Sequence, residues 1–132
     1  MPAIDVVDET FIVAPAKIVA AACADRDNWR SWWPDLRLEV YADRGDEGLR
    51  WTVRGALIGT MEVWLEPMLD GVLLHYFLRA DVPDSIAAQG KSLAKLIGRE
   101  RANRPLAAKR MALSLKRSVE NNRQPGCPST FE

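Results

Sequence analysis

One histidine and very few other groups in this sequence are placed where they could do chemistry. Strand-like spacing puts His75 beside Glu62 and Arg54, and an imidazole flanked by a carboxylate and a guanidinium is a combination that can move protons. Alternation along the strands assigns that trio to the solvent side, where it reads as a charge row worth about 0.2–1 kcal/mol per pair. General acid/base and nucleophilic catalysis need titratable groups within hydrogen-bond reach of a substrate. The inward side offers only the phenol of Tyr76 and the indole N–H of Trp51. No phosphate-binding glycine loop, nucleophile elbow, paired catalytic carboxylates or metal-ligand spacing occurs. Cys23 falls in a helical segment and Cys127 in a polar tail, so a disulfide framework, a zinc site and a cofactor all lack support. The expected catalytic set is empty, and binding is the chemistry to look for.

The residues best suited to binding are tryptophans. Three of the five lie in Asp27-Asn28-Trp29-Arg30-Ser31-Trp32-Trp33-Pro34, and such a cluster either plugs a core or walls a cavity for an apolar ligand. The elements that must position it can be read along the chain. Residues 4 to 13 alternate as a half-solvated strand, and Pro15 opens a short helix with Ile18, Val19, Ala22 and Cys23 on one face. Asp25 or Asp27 caps a second short helix, which Pro34 stops by biasing Trp33 toward extended backbone. Four antiparallel strands follow at about 36–43, 48–55, 60–66 and 71–80, broken by glycine-containing turns. A polar connector, 81–90, leads to a mainly helical segment from Ser92 to Asn122. Within it Ala108, Met111, Ala112, Leu115 and Val119 form an apolar stripe, and Pro105 either kinks the helix or starts a new one. Arg99, Arg101, Arg104, Lys109 and Arg110 read as a solvated helix face.

Composition limits the partners. The chain has 132 residues and 48% hydrophobic content, enough for one core and too little for two. Eighteen basic residues balance eighteen acidic ones, so no net field draws in nucleic acid or an anionic membrane. Apolar runs fall well short of the ~20 residues that span a bilayer, and the first residues lack a secretion signal. A cytoplasmic protein without a membrane span is expected, with one domain over 1–122 and a loose tail over 123–132.

Parity divides the strands into two faces. Trp51, Val53, Met61, Val63, Leu65, Val72, Leu74, Tyr76 and Leu78 share the inward face, and Arg50, Arg54, Glu62, Glu66, His75 and Arg79 the outward one. A register pairing Trp51 with Leu65 and Val53 with Val63 inside sets Arg54 against Glu62 and Arg50 against Glu66 outside. Extended by one strand, it sets Glu62 near His75 and Trp64 near Leu73. Trp64, Leu73 and Phe77 on the outward face could form a partner surface, so a homodimer is a possible assembly.

The strand ending Phe11-Ile12-Val13-Ala14-Pro15, the two short helices closing on Trp32-Trp33-Pro34, the meander with Gly59-Thr60-Met61-Glu62-Val63-Trp64-Leu65-Glu66-Pro67, and the ending Leu115-Lys116-Arg117-Ser118-Val119-Glu120 together resemble the START-like helix-grip superfamily. More narrowly, the chain is similar to the polyketide cyclase/dehydrase and lipid-transport group, also called SRPBCC. That resemblance covers most of residues 4 to 121. It implies an α+β fold in which a curved antiparallel sheet wraps a long C-terminal helix, with two short helices after the first strand and a ligand cavity between sheet and helix. The sequence departs from the pattern in lacking the further strand or two usual before the last helix. The expected function is binding or carriage of a small hydrophobic molecule such as a lipid, polyketide or aromatic metabolite. The expected ligand contacts are Trp32, Trp33, Trp51, Val53, Met61, Val63, Leu74, Tyr76, Met111 and Leu115. Two alternatives stand beside it: a cyclase or aromatase that acts by positioning a reactive chain, with Tyr76 as its acid, and a dimeric interaction module whose cavity is closed by its own tryptophans.

Overall fold

The structure is a computed structural model that describes residues 2–84 and 90–120. β1 (Ile4–Ile12) is followed by α1 (Ala16–Ala24) and α2 (Arg26–Trp32), then by β2 (Leu36–Asp43), β3 (Gly48–Gly55), β4 (Ile58–Met68), β5 (Gly71–Asp81) and α3 (Lys91–Val119). The strands form one antiparallel sheet in the order β1-β5-β4-β3-β2. This is the expected α+β helix-grip arrangement, with five strands and, among the described residues, none between Asp81 and α3. The expected domain end at 122 and the tail 123–132 lie outside the described residues.

Local chemistry sets the helix boundaries. Pro15 is extended (ψ 145°), and its carbonyl accepts the first amides of α1, from Ile18 at 3.0 Å and Val19 at 3.2 Å. The Asp25 carboxylate accepts the Asp27 N–H at 2.9 Å and so caps α2. Trp33 leaves helical geometry ahead of Pro34, while its N–H still donates to Trp29 O at 2.8 Å. α3 runs unbroken through Pro105, which is exposed.

The division into faces holds: Val72, Leu74, Tyr76, Leu78, Met61, Val63, Leu65, Trp51 and Val53 are buried, and Ala108, Met111, Ala112, Leu115 and Val119 of α3 are buried with them in one core. The register differs from the expected one by an even number of residues. Trp51 pairs with Met61, Leu49 with Val63, and Arg50 with Glu62, so Arg54 does not oppose Glu62 and Arg50 does not oppose Glu66. The cause is the turn. Gly55, at φ 105°, lets the chain reverse at Ala56 and Leu57, and Leu57 is drawn fully into the core. The outer ion pair forms with changed partners: Arg50 and Arg44 reach Glu62 at 3.0 and 3.4 Å.

A second tight turn, Leu69-Asp70, pairs Trp64 with His75 and Glu62 with Phe77, not Glu62 with His75 or Trp64 with Leu73. His75 stays on the outward face as expected, yet it is buried rather than solvated. Trp64 stacks on it at 4.3 Å and Phe77 lies 6.3 Å beyond, while its ring nitrogens meet Glu9 at 3.4 Å and Glu66 at 3.0 Å. Its neighbours are therefore two glutamates other than Glu62, and no arginine.

The basic run on α3 is also not uniformly solvated. Lys109 donates to the Thr10 hydroxyl at 2.8 Å and the Glu9 carbonyl at 3.0 Å and pairs with Asp8 at 3.2 Å, and Lys116 donates to Phe11 O at 2.7 Å. These bonds fasten α3 along β1. Arg104 is buried, and its guanidinium binds Asp35 at 2.7 Å and Glu100 at 2.7 Å, tying α3 to the turn after α2.

Candidate functional site

α2 places its tryptophans by helical spacing, and the strands place theirs by alternation, so the rings converge beneath α2. Trp29 donates its indole N–H to Cys23 O at 2.6 Å and meets Trp51 edge-on at 5.6 Å. Trp33 lies 5.9 Å from Trp51, and 6.1 Å from Tyr76 in a stacked arrangement. Trp32, half-buried, touches Trp33 at 5.5 Å. Such pairs add about 0.5–1.5 kcal/mol each beyond the area they bury.

Nine of the ten expected ligand residues, all but Trp32, are buried together in the core. As they stand they pack on one another. The indole nitrogens of Trp33 and Trp51 are buried; that of Trp51 has no hydrogen-bond partner, and that of Trp33 makes no well-aligned bond, although it lies close enough to the Tyr76 phenol to favour its ionised form. Leaving such a donor unpaired costs about 1–3 kcal/mol.

Electrostatics make the interior a poor place for charge transfer. Burial pushes the Tyr76 phenol well above its ordinary range, against the lowering effects of the Arg104 charge and the nearby Trp33 indole, and with a further raising effect from Asp8. Tyr76 is therefore a neutral donor and not a base. Burial likewise pushes the Cys23 thiol up to about 12, which makes it an inert core residue. For Arg104 burial favours loss of charge, but the hydrogen bonds it donates to Asp35 and Glu100 and their charges outweigh it, and the guanidinium stays ionised. Among the described residues no group of His, Cys, Asp or Glu could hold a metal ion. No described helix is long and apolar enough to cross a membrane.

Between α2 and the edge strand β2 lies an open cleft of about 590 Å³, lined by Trp29, Trp33, Pro34, Leu36 and Leu38 together with Arg26, Arg30 and Arg37. Its volume is within the range of small-molecule sites, about 300–1,000 Å³. Of the expected residues only Trp33 borders it, and Trp33 also forms the outer wall of the buried stack. Met61 borders a smaller hollow of about 240 Å³ with Glu62, Phe77 and Arg79. The sequence reading missed the rest of the cleft: Trp29 was visible in the tryptophan cluster, and Arg26, Leu36, Arg37 and Leu38 flank it closely enough to have been considered.

The same architecture occurs in solved structures of low sequence identity. A solution structure of the Aha1 dimer from Colwellia psychrerythraea is 13% identical, with 92% of this chain and 99% of that one covered at a TM-score of 0.61. A Polyketide_cyc-like protein from Corynebacterium glutamicum is 18% identical, with coverage of 93% and 96% and a TM-score of 0.58. The di-domain ARO/CYC protein StfQ of the steffimycin biosynthetic pathway is 16% identical at a TM-score of 0.61; the match covers 91% of this chain and 51% of StfQ. No protein-family model matches the sequence, and no curated protein matches it closely enough to count as a relative. The helix-grip fold of this chain is thus shared by these structures.

Proposed function

We propose that this protein binds or carries a small hydrophobic molecule through the cleft beside α2. The observation that carries the reading is the double role of Trp33, which borders the open cleft on one side and stacks against Tyr76 and Trp51 on the other. A ligand seated on Trp29, Trp33, Leu36 and Leu38 replaces water on an apolar surface, at about 25 cal/mol per Å² covered. The space between sheet and helix, walled by Trp51, Val53, Met61, Val63, Leu74, Tyr76, Met111 and Leu115, is the deeper part of the same site, opened by displacement of Trp33. The unpartnered indole N–H of Trp51 then finds an acceptor on the cargo.

A titration with the neutral probe N-phenylnaphthylamine tests this. Saturable fluorescence enhancement is expected, and its loss in a folded Leu38→Glu variant, which places a charge in the cleft. Absence of saturable binding, or binding that Leu38→Glu leaves unchanged, overturns the reading.

Two other readings have some support. The ARO/CYC assignment of StfQ favours an enzyme that acts by positioning a chain; Tyr76, neutral and inward, is then the proton donor. The Aha1 structure is of a dimer, which favours a second copy of this chain as partner.

A further inference from the structure

We infer that the free edge of β2 is a homodimer interface: two copies pair antiparallel along residues 36–40 about a two-fold axis at Leu38, joining their sheets into one. This goes beyond the binding reading and does not depend on a cargo. The two edges of the sheet, β1 and β2, are treated differently. At the β1 edge, side chains of α3 occupy the outward carbonyls: Arg101 donates to Ala3 O at 2.8 Å, Lys109 to Glu9 O at 3.0 Å and Lys116 to Phe11 O at 2.7 Å. Among the described residues nothing comparable covers β2. The Ala56 N–H donates to Asp35 O at 3.0 Å, so alternation turns the backbone groups of Arg37 and Glu39 toward β3 and those of Leu36, Leu38 and Val40 outward. The Leu36 N–H is already used, donating to Trp33 O at 3.1 Å. The outward groups of Leu38 and Val40 have no partner among the described residues, and a row of open N–H and C=O groups is a template for another strand. The bulge between Val40 and Ala42 ends the regular stretch.

The side chains of the edge select a second copy as its partner, because they are their own complement. With Leu38 opposite Leu38 of the partner subunit, outward backbone groups meet, Arg37 faces Glu39 of the partner subunit, and Glu39 faces the partner's Arg37. Arg37 and Glu39 are exposed, and neither has an ion pair among the described residues. Within one copy Arg37 stands opposite Arg54 and Glu39 opposite Thr52. The partner's Glu39 thus sets an anion on the other side of Arg37 and offsets the like-charge contact that a single copy leaves. On the opposite face Leu36 meets the partner's Val40, and the two copies of Leu38 meet each other, apolar against apolar. In one copy Val40 is exposed and Leu38 half-buried. The neighbouring registers are disfavoured by charge. Pairing Leu36 with Leu38 sets Arg37 against its own copy, and pairing Leu38 with Val40 does the same to Glu39.

Sedimentation equilibrium over a range of loading concentrations, on the parent protein and on Arg37→Glu and Glu39→Arg variants, tests this. Both positions are exposed, so each variant should keep the circular dichroism of the parent, compared at a dilution where the parent is monomeric. The parent should associate reversibly to a dimer. A short edge makes a small interface, so dissociation at micromolar or higher concentrations is expected. Each variant alone sets like charges opposite one another across the two-fold axis and should associate at least about tenfold more weakly. An equimolar mixture of the two variants should regain the affinity of the parent, because each charged pair across the seam is then of opposite sign. Amide exchange at Leu38 and Val40 should slow as the parent concentration rises, while Arg37 and Glu39, whose backbone groups face β3, should not change. A parent that stays monomeric throughout overturns the inference and leaves the edge to a strand of another protein. A dimer that both single variants retain overturns it by placing the interface elsewhere, and so does a mixture that associates no better than its components.

Discussion

The ring of Trp33 lies nearly parallel to that of Tyr76, 18° apart, while its indole nitrogen remains buried without a well-aligned hydrogen bond. An aromatic ring with favourable packing and a poorly paired donor is stabilised on one account and penalised on another. Trp33→Phe should therefore cost less than ring size suggests, about 1–2 kcal/mol, because the smaller ring leaves no such N–H in the core. Trp51→Ala, which empties a fully buried site, should cost about 3–5 kcal/mol. Urea unfolding of both variants measures the difference; equal losses would mean that this donor carries no penalty.

Arg37→Glu should stabilise the protein slightly. It replaces the Arg37/Arg54 repulsion with a pair of opposite sign, worth up to about 1 kcal/mol, so the melting temperature should rise slightly. A lower melting temperature would point to a structural role for Arg37.

Alkaline pH should expose the buried thiol. The Cys23 pKa is raised from 9.0 to about 12, so the folded protein holds this proton more tightly than the unfolded chain does. Its contribution is fully present below about pH 9 and is lost as pH rises toward about 12. Unfolding free energies measured across that window should decline, and Cys23→Ala should decline less steeply. Identical slopes would show that the thiol titrates normally. Tyr76, raised in the same sense by burial, should act similarly from about pH 10 upward.

Leu69 occupies the left-handed region at φ 51° in the turn between β4 and β5, and it is exposed. That backbone costs a branched residue about 1–2 kcal/mol, whereas asparagine tolerates it. Leu69→Asn should raise the midpoint of thermal unfolding by a few degrees, with binding unaltered; a lower midpoint would mean that the Leu69 side chain has packing value.

Tyr76→Phe separates carrier from catalyst. Probe affinity should stay within about tenfold, the loss of one hydrogen bond. Abolished turnover of a polyketide-like substrate with binding intact would make Tyr76 the acid.

Much of the fold was legible because side-chain parity is an intrinsic property of a strand: Trp51, Val63, Leu74 and Tyr76 had to share a face whatever their partners. Register was not legible, because it depends on where the chain reverses. The stretch 55–59 has a glycine at each end, and nothing local showed that Leu57 would be pulled into the core between them. Errors in register then spread to its consequences. The burial of His75 follows from having Trp64 directly across from it, a pairing fixed by the Leu69-Asp70 turn. The helical stripe through Met111 and Leu115 was visible from periodicity, but the burial of Arg104 was not, since its partner Asp35 is remote in sequence. For the site, the tryptophans announced themselves by type. The arginines beside them did not, because exposed arginines look alike until a structure shows which of them line the cleft.

The strand order has a bearing on how the chain is made. β1 precedes β2–β5 in the chain, yet among the described residues it pairs with β5, so Ile4 must wait for Ala80. The β2–β5 meander can zip from its own short turns as it leaves the ribosome, while β1 waits with one apolar face uncovered. Docking of α3 waits longer still, since Lys109 and Lys116 seek acceptors on β1. β1 and α3 thus close this sheet together, and a nascent chain halted before residue 80 should display the sheet with β1 unpaired.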